Sequence, residues 1–423
     1  MAWVRLLYQV ADVMIEAEMC AVGRKPAQVL PAWIKRDEWK RLPFGAFVQS
    51  VNQRVEPSQA GDEIYVGLEH LDPQDLHIRR WGKGSDVIGT KLCFRKGDLI
   101  FGRRRAYQRK LAVAEFDGIC SAHAMVVRAK PDVVLPEFLP FLMMSDRFMN
   151  RAVEISVGSL SPTINWTTLK LEEFALPPLD QQRRIAEILW AMDGMLNAYN
   201  QASATADAYI ASHLLTALGN SSNGQREQRF TTVPLRQIAR LQTGIAKGKS
   251  YLSNVATVEL PYLRVANVHD GFLDLSDLKT IVIREADRTR FLLQEGDVVI
   301  CEGGDFDKVG RGTIWRGEVT DCVHQNHVFC LRADKSVVMP EFIALQLGSP
   351  YGKQYFLGCA KKTSNLASIN SSQVKAFPFQ LPTLKEQQTL VAETQRVEET
   401  KQALAMHHNS TQSMLRNFRD TLT

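Results

Sequence analysis

The most basic stretch of the sequence, residues 102–110, lies between two runs that predict β-strands. Five of its nine residues are cationic, one is a tyrosine and none is acidic. On a hairpin these side chains would project together, and guanidinium groups could clamp phosphates or pair bidentately with guanine. The alternative is a solvated charged turn, although such turns usually mix both signs of charge. The candidate DNA-binding residues here are Arg103, Arg104, Arg105, Tyr107, Arg109 and Lys110.

A corresponding segment at 302–312 is rich in glycine and mixed in charge, and it adds Lys308 and Arg311 to the candidate DNA-binding residues. The loop at 243–250 adds Lys247 and Lys249. This loop is similar to a phosphate-binding loop but is one residue short, and no clear strand precedes it. We therefore expect it to touch a nucleic-acid backbone and not to hydrolyse a nucleotide.

The sequence gives little support for a metal site or for a catalytic site. Cys322, His324, His327 and Cys330 could suggest zinc, which needs four converging ligands. The segment predicts a single strand, however, on which His327 would face away from the other three. Loops that bind dinucleotides or S-adenosylmethionine are not found, and the nuclease-like triplet at 277–279 is of a kind common by chance. We predict no metal site and no catalytic residues.

The elements that must position the basic residues occur twice. The Leu-Pro-Pro-Leu run that opens 176–185 returns in degraded form at 381–388. Gly-Asp followed by two apolar residues occurs at 97–100 and again at 296–299. Other matched positions, including His123 with His327, follow in the same order in both halves. The chain is therefore a tandem repeat.

A long helix is predicted after each proline stop. Asp180 can cap the first helix, and Thr383 with Glu386 forms a capping box at the second. The apolar residues that follow form a narrow seam, which needs a partner helix. The alternative, two helices each packed on its own domain, fits poorly because about 40 helical residues would run near 60 Å. The residues predicted for helix pairing and subunit docking are Ile185, Leu189, Met192, Leu196, Leu390, Val397 and Leu404.

Each repeat also predicts a globular unit of mixed α and β structure. Short β-branched and aromatic runs punctuated by Gly, Asp and Pro predict strands. In the first repeat these strands are expected at 64–68, 92–94, 99–102, 111–116 and 124–129. A single helix should follow in each repeat, at 136–153 and at 341–357.

Composition agrees with two domains. The chain has 423 residues, 45% of them hydrophobic, which is enough for two domain-sized cores. Its net charge of +5 is too mild to establish nucleic-acid binding by itself. Charged residues interrupt the apolar run at 4–19, which falls short of the ~20 residues of a membrane span and lacks a signal-peptide layout. Seven scattered cysteines fit reduced thiols in a cytoplasm.

From about residue 40 onward the chain resembles the specificity subunit of type I restriction-modification systems, which serve in anti-phage defence. The most specific elements are residues 65–71, 101–107 and 158–166, the last leading into 176–185. The resemblance implies an α+β fold with two tandem target-recognition domains separated by two long antiparallel coiled-coil helices. Each domain would read one half of a split DNA site, and the helices would set the spacing and dock modification subunits.

The resemblance also implies partners and a division of labour. Double-stranded DNA, two modification (methyltransferase) subunits and restriction subunits would be the partners, in a prokaryotic cytoplasm and with no membrane. This chain would be non-catalytic and would bind no cofactor, with S-adenosylmethionine, Mg and ATP on partner subunits. The rival interpretations are a stand-alone methyltransferase or nuclease with a divergent site, and a structural scaffold of paired helices.

The repeat and the resemblance together divide the chain into six segments. Residues 1–35 form a helical N-terminal extension whose role stays open. The remaining expected segments are a first target-recognition domain at 36–178, a first spacer helix at 179–219, a linker at 220–230, a second target-recognition domain at 231–381 and a second spacer helix at 382–423.

Overall fold

The computed structural model resolves the chain into two compact units. The described residues of Met1–Asn200 and Ala405–Thr423 form the first unit, and those of Gln201–Leu404 form the second. The structure describes residues 31, 33–56, 58, 60–61, 63–218, 230–248, 251–252, 254–363 and 366–421. The predicted linker at 220–230, except for Phe230, and almost all of the predicted N-terminal extension lie outside these residues.

The first unit is built on three sheets with the strand orders β1-β11, β2-β10-β7-β8 and β3-β6-β9-β4-β5. Strand β4 runs parallel to β9, whereas the other pairs are antiparallel. The strands are β1 (Lys40–Pro43), β2 (Val48–Val51), β3 (Arg54–Val55), β4 (Ile64–Val66), β5 (Gly82–Lys83), β6 (Lys91–Phe94), β7 (Leu99–Phe101), β8 (Leu111–Val113), β9 (Gly118–Cys120), β10 (Met125–Ala129) and β11 (Glu173–Leu176). All five strands predicted for this repeat are present, most of them shorter than expected.

The helices of the first unit cover the four-stranded sheet and enclose an aromatic core. Buried phenylalanines from helices, strands and turns meet there, and Phe44 lies within 6 Å of the ring centroids of Phe47, Phe148 and Phe174. The helices are α1 (Phe44–Phe47), α2 (Leu139–Met144), α3 (Asp146–Glu154), α4 (Trp166–Leu169) and the long α5 (Leu179–Ala217).

The second unit repeats this framework. Its four-stranded sheet has the order β13-β20-β16-β18, which matches β2-β10-β7-β8, and β12-β23 matches β1-β11. The strands are β12 (Thr231–Pro234), β13 (Ala239–Thr243), β14 (Thr257–Leu263), β15 (Lys279–Arg284), β16 (Val298–Cys301), β17 (Gly303–Gly304), β18 (Gly312–Ile314), β19 (Val323–His324), β20 (Val328–Ala333), β21 (Lys361–Lys362), β22 (Ala367–Ser368) and β23 (Pro378–Leu381). The helices are α6 (Arg288–Phe291), α7 (Pro340–Gly348), α8 (Pro350–Cys359), α9 (Ser371–Lys375) and the long α10 (Leu384–Thr421).

The single helices predicted at 136–153 and 341–357 are wrong, because each is two helices separated by a serine. Ser145 has extended backbone angles, and its hydroxyl accepts a hydrogen bond from the Phe148 N–H at 3.3 Å. Ser349 caps α8 in the same way, through the Gly352 N–H at 3.3 Å. Each serine therefore ends one helix and starts the next, as side-chain oxygens at N-caps do.

The two long helices are antiparallel in the contacts that each unit contains. In the second unit, Asp207 pairs with Lys401 and His213 with Glu393, so partner numbers fall along one helix as they rise along the other. In the first unit, the rings of Tyr199 and His407 stack with centroids 6.3 Å apart. Among the described residues, no helix has both the length and the apolar character needed to cross a membrane.

A buried glutamine fastens the start of the first long helix to the core of the first unit. The Gln182 Nε2 donates hydrogen bonds to the carbonyls of Val133 at 3.0 Å and Pro177 at 2.9 Å. Its Oε1 accepts one from the Leu135 N–H at 2.8 Å. The side chain is buried, so each of these backbone groups depends on it for its partner.

The second long helix begins with the same arrangement. Gln387 donates to the carbonyls of Val337 at 3.1 Å and Pro382 at 2.9 Å, and accepts from the Met339 N–H at 2.9 Å. This glutamine is also buried. The duplicated Leu-Pro motif therefore positions a side chain that holds each helix at a fixed point of exit from its unit.

The capping predictions had different outcomes. Thr383 and Glu386 form the predicted capping box, with the Thr383 N–H 3.0 Å from Glu386 Oε2 and the Glu386 N–H 3.4 Å from Thr383 Oγ1. Asp180 is not a cap, because α5 already begins at Leu179 and places this carboxylate within the first turn. There the carboxylate still faces the positive end of the helix dipole.

A second polar anchor joins the first long helix to the loop before β5. His77 Nε2 lies 2.7 Å from Asp193 Oδ2, and Nδ1 lies 2.7 Å from Glu115 Oε1. The hydrogen bond with Asp193 raises the pKa of His77 to about 9, and the Glu115 hydrogen bond adds to this effect, although burial opposes it. The ring is therefore a doubly protonated link between two carboxylates at neutral pH.

The fold prediction of two mixed α/β units with two long antiparallel helices is confirmed. The compact units differ from the predicted segments in one respect, because each long helix contributes residues to both units. The physical reason is that the start of one long helix and the end of the other are buried in the same hydrophobic core. Phe418 near the end of α10 is buried in the same core as Ile185 near the start of α5.

Replacing Gln387 by Ala should lower the free energy of unfolding of the second unit by about 3 kcal/mol, because one N–H and two carbonyls would be left without a buried partner. Gln388, the exposed neighbour, is the matched control, and Gln388→Ala should change stability by less than about 0.5 kcal/mol. Urea unfolding followed by circular dichroism measures both. Equal effects of the two substitutions would show that the buried glutamine does not anchor the helix.

The raised pKa of His77 predicts a pH-dependent stability. The protonated ring stabilises the fold fully below its ordinary pKa of about 6.5, and this contribution is lost as the pH rises through about 9. Between pH 7 and pH 10 the free energy of unfolding should therefore fall more for the wild type than for His77→Gln. His408→Gln serves as the control and should follow the wild type. Parallel curves for all three proteins would contradict the ionic link.

Candidate nucleic-acid interface

The predicted basic hairpin exists in the first unit. Strands β7 and β8 pair antiparallel, and the loop between them contains one 3-10 turn, Ala106–Gln108. Arg105 and Arg109 flank this turn with φ of 58° and 53°, in the left-handed region that favours glycine. A non-glycine residue there costs about 1 kcal/mol or more. Holding arginines at two such positions indicates that their side chains are needed.

The loop is tied to a second hairpin formed by residues 157–163. Arg104 forms a β-bridge with Thr163, and the Arg105 N–H donates to the Pro162 carbonyl at 2.8 Å. The exposed Arg105 side chain reaches the Ser161 hydroxyl at 3.3 Å. Tyr107 is 55% exposed on the 3-10 turn, where an aromatic ring is available for stacking. The two hairpins therefore form one surface with cations and an aromatic ring.

Arg103 lines a concave part of this surface. A pocket of 140 Å³ is bounded by side chains from four strands and neighbouring loops, and three of them are cationic. The basic and polar lining residues are Ser50, Asn52, Arg54, Thr90, Lys91 and Arg103. The Arg103 Nε is buried without a hydrogen-bond partner among the described residues. A phosphate oxygen is the kind of acceptor that such a group lacks.

The pKa of His123 is affected by the charged side chains around it. Burial is the largest cause that lowers the pKa of His123, followed by the positive charges of Arg104, Arg103 and Lys91. Three cations therefore lie close enough to His123 to affect its titration. A cluster of positive charge of this kind attracts the DNA backbone.

Two predicted DNA-binding residues of the first unit have roles inside it. Arg109 forms an ion pair with Asp146, and the Arg109 guanidinium holds the pKa of that carboxyl below its usual value. The Lys110 ammonium donates to the Leu68 carbonyl at 2.5 Å. Both side chains brace the loop. Arg105 and Tyr107 are exposed, whereas Arg103 and Arg104 are half-buried, and Arg103 Nη2 donates to the Ala122 carbonyl at 3.1 Å.

Backbone hydrogen bonds show which residues of the second unit correspond to this loop. The Gly102 N–H bonds to the Lys110 carbonyl, as the Cys301 N–H bonds to the Arg311 carbonyl. Arg103 therefore corresponds to Glu302, and the bonds of these two residues to Ile164 and Ile369 agree. On the same alignment, Arg104 and Arg105 correspond to the two glycines of β17.

The charge at this position is reversed in the second unit. Glu302 is hydrogen-bonded to His327, at the place where Arg103 and Arg104 lie near His123 in the first unit. Two equivalent hairpins thus differ in charge, since an arginine in the first corresponds to a glutamate in the second.

The residues predicted to bind DNA in the second unit differ in their contacts and in their exposure. Arg311 donates to the Val265 carbonyl at 3.0 Å, which matches the contact of Lys110 with Leu68 and indicates a bracing role. Lys308 is paired with Asp305, whereas Lys247 is exposed. Lys249 lies outside the described residues.

Sequence reasoning missed Lys361 and Lys362. Both are exposed on β21, which pairs with β22, and β22 also pairs with β17. Two adjacent lysines after a helix were the only signal in the sequence. Arg54 and Lys91 were missed as well, because nothing in their spacing connects them to Arg103.

Two minor predictions need correction. A strand, β13, does precede the loop at 243–250, although the described residues from 244 to 256 contain no helix to complete a phosphate-binding loop. The segment with Cys322 and Cys330 is two short strands joined by a turn, because β19 and β20 belong to different sheets. Cys322, His324 and Cys330 are buried and His327 is exposed, and the described residues contain no cluster of three metal-ligating side chains.

The residues predicted for helix pairing lie within the cores or beside them. Ile185, Leu189 and Met192 are buried in the first core, which they share with Phe418. Leu390 is buried in the second core with Ala217, the last residue of α5, and with Leu218, which follows it. Leu196, Val397 and Leu404 are half-buried. Side chains buried in this way pack within the chain, and a docking partner must use more exposed residues.

Comparison with known proteins shows what the chain is similar to. The family model described as "Type I restriction modification DNA specificity domain" matches residues 81–204. The EcoKI specificity subunit of Escherichia coli (strain K12) is 24% identical over 373 residues, which are 84% of this chain and 76% of that protein. The chain is therefore similar to type I restriction-modification specificity subunits in both its sequence and the matched domain.

Solved structures show that the fold extends over both repeats. The S subunit of a type I restriction-modification system from M. genitalium has a TM-score of 0.57 at 12% identity, and the match covers 94% of this chain and 99% of that one. A chain from a study of complex assembly and conformational transition in the type I R-M system has a TM-score of 0.55 at 21% identity, with the same coverage. The similarity to specificity subunits agrees with the prediction of a non-catalytic chain.

The surface arginines predict a measurable salt dependence. Replacing Arg103, Arg104 and Arg105 together by Ala should weaken DNA binding, because fewer phosphates are neutralised and fewer counterions are released. The slope of log affinity against log salt concentration should decrease by about 0.9 for each phosphate that is no longer neutralised. Fluorescence anisotropy with a labelled duplex at several KCl concentrations measures the slope.

The matched control replaces three arginines that are already paired with carboxylates. These are Arg41 with Glu173, Arg80 with Asp72, and Arg284 with Asp287. The control should keep the wild-type slope. A wild-type slope in the Arg103, Arg104 and Arg105 variant would mean that this loop is only a solvated turn.

Proposed function

We propose that this chain is the DNA sequence-recognition subunit of a type I restriction-modification complex, and that each unit reads one half of a bipartite DNA site. The observation that carries the proposal is a repeated framework with different charges on equivalent hairpins. Arg103 in the first unit corresponds to Glu302 in the second. Two similar frameworks whose surfaces differ in charge are suited to recognising two different half-sites.

Cations near the hairpins supply the backbone contacts that such reading requires. In the first unit these are Arg103, Arg104 and Arg105 of the β7–β8 loop together with the exposed Arg54 at the pocket. In the second unit, Lys361, Lys362 and Lys247 are exposed. Contacts to phosphates fix the register on the duplex, and sequence is read by other side chains at the base edges.

The proposed partners follow from the family. Two modification subunits would carry S-adenosylmethionine and methylate adenine, and restriction subunits would carry ATP and Mg. The chain would act on DNA in a prokaryotic cytoplasm. If it were instead a stand-alone methyltransferase, the isolated chain would bind the methyl donor. Calorimetric titration of the purified chain with S-adenosylmethionine should show no binding, and stoichiometric binding would favour the enzyme.

The long helices have a proposed role as a spacer between the half-sites. Buried Gln182 and Gln387 fix the start of each helix, and the contacts of Asp207 with Lys401 and of His213 with Glu393 fix their register. Helix length would then determine the number of unread base pairs between the half-sites. Each half-site sequence would depend on its own unit and not on the helices.

Lengthening both helices tests the spacer. Four residues inserted after Ser203 and four after Ala403 leave the pairs Tyr199–His407 and Asp207–Lys401 in register. The insertion adds about 6 Å and rotates each helix by about 40° beyond a full turn. One DNA base pair adds about 3.4 Å of length and about 34° of twist, so the gap should grow by one or two pairs.

Long-read mapping of methylated adenines in a host that carries the lengthened chain gives the result directly. Both half-sites should stay unchanged while the gap between them grows. A control with four residues inserted in only one helix should lose activity, because the register of the pair is broken. Active enzyme with the original gap, or altered half-sites, would show that the helices are not the spacer.

A further inference from the structure

The loop between β7 and β8 is connected to the end of the second long helix through a single carboxylate. Arg109, at the end of this loop, pairs through its guanidinium with Asp146, the first residue of α3. The backbone N–H of Asp146 donates to Asp420 Oδ1 at 3.1 Å, and Asp420 belongs to the last turn of α10. Asp146 therefore contacts the loop with its side chain and the helix end with its backbone.

The backbone of Arg109 provides a second connection, to the first long helix. The Arg109 carbonyl accepts a hydrogen bond from the Gln74 N–H at 3.1 Å. Three residues further along the chain, His77 Nε2 lies 2.7 Å from Asp193 Oδ2 of α5. Gln74 and Arg109 both have left-handed backbone angles, with φ of 60° and 53°. The loop is thus connected to both long helices at a point where two adjacent segments are strained.

The second unit has different residues at the positions that make these contacts. The serines between the paired helices, the buried glutamines and the hairpin hydrogen bonds align the two units. The corresponding residues are Gly310 for Arg109, Pro350 for Asp146, Leu215 for Asp420 and Glu398 for Asp193. Pro350 has neither a carboxylate nor an N–H, and Glu398 pairs with Lys401 of its own helix. The connection between loop and helices therefore belongs to the first unit.

The glycine of the second unit shows what the arginine does in the first. Gly310 has a φ of 69°, a conformation that glycine adopts without strain. Arg109 adopts the same conformation at a cost, and strained backbone persists only where surrounding contacts determine it. In the first unit those contacts are with Asp146 and Gln74. The geometry of the loop therefore depends on residues that are held by the long helices.

We propose that Asp146 is a positioning residue that couples DNA binding by the first unit to the packing of the end of α10 on that unit. This inference rests on the proposed DNA-reading function. The helix end holds Asp146, and Asp146 holds Arg109 at the end of the loop that contains residues 103–105. Coupling between two sites is reciprocal, so DNA bound at the loop also stabilises the end of α10. The coupling affects affinity and not the choice of bases.

Hydrogen exchange followed by mass spectrometry tests the coupling in the full chain, alone and in its complex. The probe is a duplex that carries the bipartite sequence mapped from methylated host adenines. In the wild type, the duplex should slow amide exchange in the last two turns of α10 by about threefold or more and leave the end of α5 unchanged. In Asp146→Asn, which keeps the N–H bonded to Asp420 but loses the charge pair with Arg109, the end of α10 should no longer respond to DNA.

Two further variants complete the comparison. Arg109→Gly copies the second unit, relieves the backbone strain and removes the connection, so it should also abolish the response of α10. Glu154→Gln is the matched control, because it removes another carboxylate paired with an arginine on α3, while Arg151 keeps Glu172 as a partner. This control should match the wild type.

Duplex affinity provides a second measurement of the same coupling. Asp146→Asn should weaken binding by about three- to tenfold, because the loop is no longer held in place. Glu154→Gln should bind as tightly as the wild type. Fluorescence anisotropy at one salt concentration measures all of these proteins.

The outcomes separate this inference from the proposed function. If the wild type binds the duplex without protecting the end of α10, or if Asp146→Asn and Arg109→Gly keep the full protection, the coupling is overturned while DNA reading stands. Equal protection at the ends of both long helices would also overturn it, because the second unit lacks these contacts. If the chain and its complex bind no duplex at all, both proposals fail.

Discussion

A buried carboxamide at the start of each long helix determines where that helix leaves its globular unit. Gln182 and Gln387 are buried, and each satisfies one backbone N–H and two backbone carbonyls. Leaving such groups unpaired costs more than an ordinary hydrogen bond contributes. The helix start is therefore tied to the loop that follows the last strand of the four-stranded sheet. A helix can act as a spacer only if its ends are fixed in this way.

The repeated framework is preserved by a small set of polar contacts. Asp98 with Arg128 and Asp297 with Arg332 are equivalent ion pairs in which the carboxylate is buried. Each aspartate also accepts a hydrogen bond from a backbone N–H three residues earlier. A buried carboxylate without its arginine would be strongly destabilising, so the pairs constrain the sheet in both units.

The surface above this framework has diverged in charge. The loop after β7 offers arginines, even at a left-handed position where the second unit has Gly304. The loop after β16 offers a glutamate paired with a histidine, and the cations come instead from β21. The sheet framework is the same in both units while the loops differ in charge and length, which fits the proposed reading of two different half-sites.

Much of the architecture could be predicted because the sequence contains two copies of the same motifs in the same order. Matched motifs identified the repeat, and the apolar seam with the Thr383 capping box identified the long helices. The serine breaks at Ser145 and Ser349 were missed because the apolar pattern continues across them. The bonds of Lys110 and Arg311 to backbone carbonyls could not be predicted, because they depend on a neighbouring loop that is distant in sequence. The pocket cations were missed for the same reason.

Mapping methylated adenines in the host with and without this chain tests the central claim most directly. We expect a bipartite motif, with two short specified halves separated by a fixed unspecified gap, that disappears completely when the gene is deleted. Restoring the chain should restore the same motif. A continuous motif, or methylation that persists unchanged after deletion, would contradict the assignment of this chain as the subunit that reads DNA.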